Sequence, residues 1–139
     1  MEHIAWNDSY RIGIPHIDRQ HQRLFNLVNL FFETLAMEKC AAMIEPVLGG
    51  LLTYARTHFR DEEAEMQRLG YPALDEHRQK HAAMKRQGEK WIECINAGYQ
   101  IDYVAVVLFL KEWLTNHVMQ DDKAIGLYVQ TTNKELLTL

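Results

Sequence analysis

Residues 46–72 read PVLGGLLTYARTHFRDEEAEMQRLGYP and predict one long amphipathic helix. Its apolar positions recur every three or four residues, which is the spacing of a single helix face. A proline suits the first turn, and Gly70-Tyr71-Pro72 ends the pattern. The same face also carries His58 and Glu62, where leucine or valine would be expected. The complete stripe comprises Val47, Leu48, Leu51, Ala55, His58, Glu62, Met66 and Leu69.

Three other segments show the same helical period. The first runs from His21 to Leu35, and we expect Asp18 to cap it. The third runs from Leu74 to Ile95 and the fourth from Tyr103 to His117. The connections between segments are short, which favours antiparallel neighbours. The sequence therefore predicts an all-α fold, an up-down-up-down four-helix bundle with an extended N-terminal arm.

The chain length of 139 residues is typical of one domain. We predict a single domain over residues 1–139, with the arm at 1–17 and the bundle at about 18–125. Residues 37–42 are predicted to form a turn. The tail at about 126–139 has no clear pattern, and its end reads either as a short helical turn or as a frayed terminus.

The composition excludes several classes of function. The formal net charge is −4 with acids and bases interspersed, so we expect no nucleic-acid partner. No apolar run approaches the roughly 20 residues that span a bilayer, so we expect no membrane insertion. The first ten residues lack the features of a secretory signal, which favours a cytoplasmic location. Cys40 and Cys94 lie far apart in the sequence, and we expect two buried reduced thiols.

Histidine placement is the most informative feature of the chain. Five of the seven histidines fall on apolar stripes, together with acidic partners, and a buried polar group is costly unless something pairs with it. In an antiparallel bundle these positions all lie at one end, so the sequence order brings them to one layer. This pattern predicts a metal centre. The candidate ligands are His21, His58, Glu62, His77, His81, His117, Asp121 and Asp122.

The number of candidate ligands favours two metal ions. A closed structural zinc site needs only four ligands. Carboxylates bridge metals and imidazoles normally do not, so with Glu62 and one aspartate as bridges the five histidines divide three and two. With an added oxo or hydroxo bridge, one metal has six ligands and the other has five, which leaves an open position. Imidazole with carboxylate suits iron, copper, nickel or zinc.

Four motifs resemble those of the hemerythrin family, in particular its single-domain bacterial form. The resemblance covers about residues 6 to 128. The motifs are Ile17-Asp18-Arg19-Gln20-His21, His58-Phe59-Arg60-Asp61-Glu62-Glu63, His77-Arg78-Gln79-Lys80-His81, and Trp113-Leu114-Thr115-Asn116-His117 continuing through Asp122-Lys123.

The resemblance implies a non-haem centre of two iron ions, bridged by oxo or hydroxo, that binds dioxygen reversibly. It assigns His77, His81 and His117 to the six-coordinate iron. It assigns His21 and His58 to the oxygen-binding iron, with Glu62 and Asp122 as bridges. It also implies an apolar oxygen pocket formed by Phe25, Phe59, Trp113, Leu114 and Val118.

The aspartate ligand is where spacing and resemblance disagree. Regular helical spacing from His117 favours Asp121, at i+4. The family pattern favours Asp122, which at i+5 lies roughly 140° around a regular helix. Asp122 therefore needs a loosened or ended turn after His117, and it is the residue we predict.

The remaining polar residues of interest are expected to lie outside the cluster. We interpret His3 and His16 as solvated. Glu63 and Glu65 are also expected to be solvated charges, with Glu63 as a possible hydrogen-bond partner of a ligand imidazole.

Three functions remain open at this stage. The first is dioxygen binding for storage, delivery or sensing, with no enzymatic activity. The second is a di-iron enzyme that reduces peroxide or nitric oxide. The third is a metal-dependent interaction or sensor module. The five imidazoles favour the first, because ferritin-like oxidases use carboxylate-rich sites. The oligomeric state is left open.

Overall fold

The computed structural model describes residues 3–138, with the side chains of residues 38–40 and 134–138 excepted. Within this part of the chain the regular structure is helical, in the order α1 Pro15–Ala36, α2 Ile44–Leu69, α3 Leu74–Asn96, α4 Tyr103–His117 and α5 Lys123–Thr138. Short 3₁₀ helices occupy Asp8–Tyr10 and Glu38–Met43. Helix α1 packs on α2 and α4, and α2 packs on α3. The predicted four-helix bundle is confirmed.

The apolar core follows the predicted stripes closely. One cluster fills the bundle interior and includes Leu24, Phe25, Leu51, Phe59 and Leu114. A second, smaller cluster closes the end of the bundle at which α2 finishes; its buried members are Ile12, Ile14, Ile17, Met66 and Ile125. The histidine layer belongs to the same end, so apolar side chains cover it on both sides.

The N-terminal arm is held by specific contacts on α1. The backbone N–H of Ile4 donates to the Asn29 side chain at 2.7 Å, and the Asn29 amide donates back to the Ile4 carbonyl at 2.9 Å. Trp6 and Tyr10 both pack their rings against Phe25. The arm therefore closes one side of the bundle next to the histidine layer.

Asp18 does not cap the first helix, contrary to the prediction. Helix α1 begins earlier, at Pro15, so Asp18 lies within its first turn. Its carboxylate accepts hydrogen bonds from the backbone N–H groups of Ile12 and Gly13, at 2.8 and 3.1 Å. Asp18 thus ties the arm to α1. The boundary predicted between arm and bundle moves from residue 17 to residue 14.

Two further boundaries differ from the predictions. The turn expected at residues 37–42 is a 3₁₀ helix over Glu38–Met43, and α2 begins at Ile44. The end of α2 is as expected, because Gly70 takes the left-handed conformation with φ 66° that lets it close the helix. The predicted tail is helical from Lys123 to Thr138, and Leu139 lies outside the described residues.

Other features of the chain bear on expectations about location and redox state. No helix within residues 3–138 combines the length and the apolar character needed to cross a bilayer. Cys94 is a free thiol and is only partly buried, so the expectation of full burial is wrong for this residue. The side chain of Cys40 lies outside the described residues.

Helix α5 docks on the arm through Gly126. A Cβ atom at this position would lie 2.1 Å from the backbone oxygen of Ile12, which no side-chain movement can relieve. Gly126 is therefore required by this close approach of two backbones.

Gly126→Ala is expected to lower the free energy of unfolding by about 2–3 kcal/mol, because the arm and α5 must separate. Gly50→Ala is the matched control, since a Cβ there meets nothing within 4 Å and the residue is in a helix. That control should be neutral or stabilising by roughly 0.5–1 kcal/mol. Urea denaturation of both variants measures the difference; equal stabilities would contradict the close approach.

Candidate metal centre

Five helical elements and turns bring seven side chains into one buried layer. His21 comes from α1, His58 and Glu62 from α2, His77 and His81 from α3, His117 from the end of α4, and Asp122 from the turn that follows. All seven are at most 4% exposed. The predicted cluster is thus assembled as expected, each histidine taking a core position of its helix.

The turn after His117 is a π-helix over Val118–Asp122. The N–H of Lys123 donates to the carbonyl of Val118, an i to i+5 bond that closes the widened turn. This extra residue per turn brings Asp122 back to the face of His117. The loosened turn that an i+5 partner requires is therefore present.

Both aspartates contact His117, but on opposite sides of its ring. Asp122 is fully buried, and its Oδ1 lies 3.1 Å from the inward Nε2. Asp121 is partly exposed, and its Oδ2 lies 3.0 Å from the outward Nδ1. Asp121 also forms an ion pair with Lys80. The structure therefore brings Asp122 into the cluster and holds Asp121 behind it.

The two buried carboxylates divide the histidines into two groups. Glu62 Oε1 lies 2.9 Å from His77 Nε2 and 3.1 Å from His81 Nε2. Asp122 Oδ1 lies 3.0 Å from His77 Nε2 as well as 3.1 Å from His117 Nε2. These atoms form the three-imidazole group.

The other oxygen of each carboxylate faces the second group. Glu62 Oε2 lies 3.1 Å from Nε2 of both His21 and His58. Asp122 Oδ2 lies 3.0 Å from His21 Nε2. These atoms form the two-imidazole group. Each carboxylate thus presents one oxygen to each group, which is the arrangement of a bridge between two cations.

The separations fit metal coordination. Imidazole nitrogen binds a metal at roughly 2.1 Å, so ligands at right angles around one ion lie about 3.0 Å apart and opposite ligands about 4.2 Å apart. The short contacts above match the first distance. His117 Nε2 lies 4.0 Å from Glu62 Oε1, close to the second. The donor set therefore suits six-coordinate geometry better than a tetrahedral site.

Asp122 supplies an independent indication. Both of its oxygens are buried and, within the described residues, neither makes a hydrogen bond of acceptable geometry, although imidazole nitrogens lie 3.0–3.1 Å away. Unpaired buried carboxylate oxygens are costly. A bound cation would satisfy the lone pair of an oxygen that faces imidazole nitrogens without hydrogen bonding to them.

Electrostatics in the metal-free cluster point the same way. Burial disfavours a charged imidazole, yet Asp122 and Glu62 raise the pKa of His21 to about 10 and that of His77 to about 9. Burial also lowers the pKa of His117, but Asp122 and Asp121 outweigh it and raise that pKa to about 10. Burial also opposes ionisation of Glu62, but His58 and His21 hold its pKa well below the usual range. The two carboxylates therefore favour positive charge inside the cluster, and metal binding competes with protonation of the imidazoles.

Around this cluster lies an apolar shell. Phe25, Phe59, Leu114 and Val118 are buried in one cluster, against which the half-buried Trp113 packs. The Phe59 ring stacks on His81 at 4.1 Å between centroids, and Trp113 stacks on His117 at 4.4 Å. A cavity of about 400 Å³ is lined by Phe59, Trp113 and Leu114 among other residues of α1–α4. Phe25 and Val118 lie outside its lining.

Several residues outside the cluster differ from their expected surroundings. Glu63 is only 18% exposed and accepts from His81 Nδ1 at 2.9 Å, the contact that was anticipated for it. Glu65 is 13% exposed and pairs with Arg68, so full solvation was wrong for both. His16 and His3 are about half exposed, beside Glu65 and Glu33 respectively.

Gln20 was missed by sequence reasoning. Its Oε1 lies 2.7 Å from His58 Nδ1, and its amide donates to Asp61. A polar residue on the edge of α1 carries no periodic signal, and only the packing of α1 on α2 creates this contact.

The fold is that of a helical bundle whose buried imidazoles and carboxylates could bind metal ions. The family model described as "Hemerythrin HHE cation binding domain" matches residues 12–126. The chain belongs to the hemerythrin family.

Similar proteins span nearly the whole chain. Bacteriohemerythrin of Pseudomonas paraeruginosa is 31% identical over 99% of this chain and 88% of its own length. Hemerythrin subunit alpha of Lingula anatina is 29% identical over 87% of this chain and 91% of its own. Among solved structures, wild-type hemerythrin superimposes with a TM-score of 0.83 at 27% identity, over 88% of this chain and 95% of that one.

Replacing the two aspartates separately tests their different roles. Asp122→Ala should abolish the binding of at least one metal ion, because it removes one oxygen from each group. Asp121→Ala should still bind two equivalents at saturating iron, since its contact is to the outward Nδ1. Inductively coupled plasma analysis of iron gives the count, and circular dichroism checks that both variants fold. Loss confined to Asp121→Ala would overturn the assignment.

Proposed function

We propose that this protein binds dioxygen reversibly at a non-haem di-iron centre, for oxygen storage, delivery or sensing. The observation that carries the proposal is the division of five imidazoles, three and two, about two shared carboxylates. With both carboxylates bridging, the two-imidazole position has one protein ligand fewer than its neighbour. A metal ion at this position would keep one coordination site free, and because the site is buried it would accept a small diatomic ligand.

The proposed ligands follow the two groups. His77, His81 and His117 would hold one iron ion, and His21 and His58 the other. Glu62 and Asp122 would bridge them, each with one oxygen on either side. Support comes from the matching 2.9–3.1 Å separations and from the unpaired oxygens of Asp122.

Iron ions bridged by oxo or hydroxo at this centre would supply the two electrons that dioxygen takes up on binding. The chain's own part is to keep the ligands in register and to keep water out. Four helices carry the imidazoles, and apolar clusters pack on both sides of the layer. Geometry held in this way favours return of the ligand unchanged.

We assign Phe25, Phe59, Trp113, Leu114 and Val118 to the oxygen pocket. Phe25, Phe59, Leu114 and Val118 belong to the buried apolar cluster, and the Phe59 and Trp113 rings stack on the imidazoles of His81 and His117. Exclusion of water and anions slows proton delivery to the bound ligand, and slow proton delivery retards oxidation of the centre. This supports carriage rather than catalysis, with peroxide or nitric oxide reduction and a metal-dependent sensor module as the alternatives.

We also propose that residues 1–139 form a single domain and that the protein is cytoplasmic. A reducing compartment would keep both the iron and the free Cys94 thiol in their reduced forms.

The decisive experiment is an oxygenation cycle. The iron-loaded protein is reduced anaerobically, exposed to air and then purged, with visible spectra recorded through several rounds. We expect a coloured adduct that appears with oxygen and disappears on purging. Conversion to a ferric form without an adduct would contradict reversible binding, and turnover of peroxide or nitric oxide in its place would support the enzymatic alternative.

Val118→Thr tests the role of the apolar pocket. The substitution adds a hydroxyl at nearly constant volume beside His117, so the adduct should autoxidise several-fold faster. Val107→Thr is the control, because Val107 is equally buried on α4 but belongs to the bundle interior nearly three turns away. The decay of the adduct's visible band measures both. Equal rates in the two variants would show that the polarity of this pocket is unimportant.

A further inference from the structure

The outward faces of the ligand imidazoles are not alike. Each ring directs Nε2 into the cluster, and the contact made by Nδ1 differs between the two groups. In the three-imidazole group, His81 Nδ1 lies 2.9 Å from the Glu63 carboxylate and His117 Nδ1 lies 3.0 Å from the Asp121 carboxylate. Two of its three rings are therefore supported by a carboxylate acceptor.

Both of these carboxylates are themselves held by a cation from α3. Arg78 Nε lies 3.4 Å from Glu63 Oε1, and Lys80 pairs with Asp121. Two chains of cation, carboxylate and imidazole thus lead inward from the surface to the same group.

The two-imidazole group has no such support within the described residues. His58 Nδ1 contacts the neutral amide oxygen of Gln20 at 2.7 Å. His21 Nδ1 is buried and has no hydrogen-bond partner. One ring is therefore oriented by an uncharged acceptor, and the other by packing alone.

This difference has a physical consequence for metal binding. A carboxylate that accepts from Nδ1–H fixes the ring and raises the basicity of the coordinating Nε2. Hydrogen bonds to an ionised acceptor are roughly twice as strong as those between neutral groups. The three-imidazole group should therefore bind a metal ion more tightly than the two-imidazole group, and by more than its additional imidazole alone would explain.

We propose that Glu63 and Asp121 are positioning residues that make the three-imidazole position the tighter of two unequal metal positions. The two-imidazole position, supported by Gln20 alone, is left as the weaker and more exchangeable one. This inference rests on the proposed function in one respect, the presence of two metal positions. It adds that their inequality is set by the outer carboxylates as well as by the number of ligands.

Cobalt binding tests the inference without iron or oxygen. Metal-free protein is titrated anaerobically with Co²⁺ against a chromophoric chelator, which yields the two dissociation constants. His58→Ala shows which constant belongs to the two-imidazole position. Glu63→Gln and Asp121→Asn should each raise the dissociation constant of the three-imidazole position by about 10–100-fold. The constant of the two-imidazole position should stay within about twofold.

A reciprocal variant separates tuning from loss of structure. Gln20→Glu combined with Asp61→Asn keeps the net charge and reverses the donor and acceptor between these side chains, which places a carboxylate on His58. It should tighten the two-imidazole position. Glu65→Gln is the matched control for Glu63→Gln. It also removes a negative charge from α2, but Glu65 contacts none of the five cluster imidazoles, so neither dissociation constant should change.

Several results would overturn the inference. They are two equal constants in the unaltered protein, constants of Glu63→Gln and Asp121→Asn that match the unaltered protein, and equal weakening of both positions with a matching fall in the metal-free melting temperature. The outcome of the oxygenation cycle does not depend on the outcome of the cobalt titration. Unequal cobalt positions with no reversible adduct would refute the proposed function and leave this inference standing.

Discussion

Burial of two carboxylates among five imidazoles is the constraint on which this structure depends. Glu62 and Asp122 are at most 1% exposed, and an ionised group so far from water is stable only when opposite charge surrounds it. Protons on the imidazoles can supply that charge, and so can metal ions. The four helices, the arm and the π-turn can all be understood as the means of holding these groups at about 3 Å from one another.

Apolar packing and the polar layer support each other. The bundle core lies on one side of the histidines, and the smaller cluster of Ile12, Ile14, Ile17, Met66 and Ile125 lies on the other. The second cluster exists only because the arm folds back and α5 continues past Asp122. Residues near the two ends of the chain therefore cover the layer, and Gly126 is needed because two backbones meet there.

The surroundings of the cluster are more informative than the cluster alone. Seven inward-facing donor side chains define where cations would lie, but any protein with this arrangement has the same seven. The outward nitrogens distinguish the rings, since carboxylates with cationic partners stand behind His81 and His117, and an amide stands behind His58. Polar side chains outside the cluster thus orient its imidazoles without facing the metal positions themselves.

Helical periodicity by itself determined the bundle, the histidine layer and the inward position of Glu62, because residues on a core stripe have only one direction in which to point. Periodicity did not single out Phe59, which only the resemblance to the hemerythrin family assigned to the pocket. Periodicity failed where the backbone leaves the regular helix or where two elements meet. Asp18 was misassigned because the arm folds back to meet its carboxylate, and Gln20 carried no signal until α1 packed on α2. Residue spacing favoured Asp121 and the family resemblance favoured Asp122. Only the structure shows why Asp122 faces inward, because the widened turn after His117 cannot be read from residue spacing.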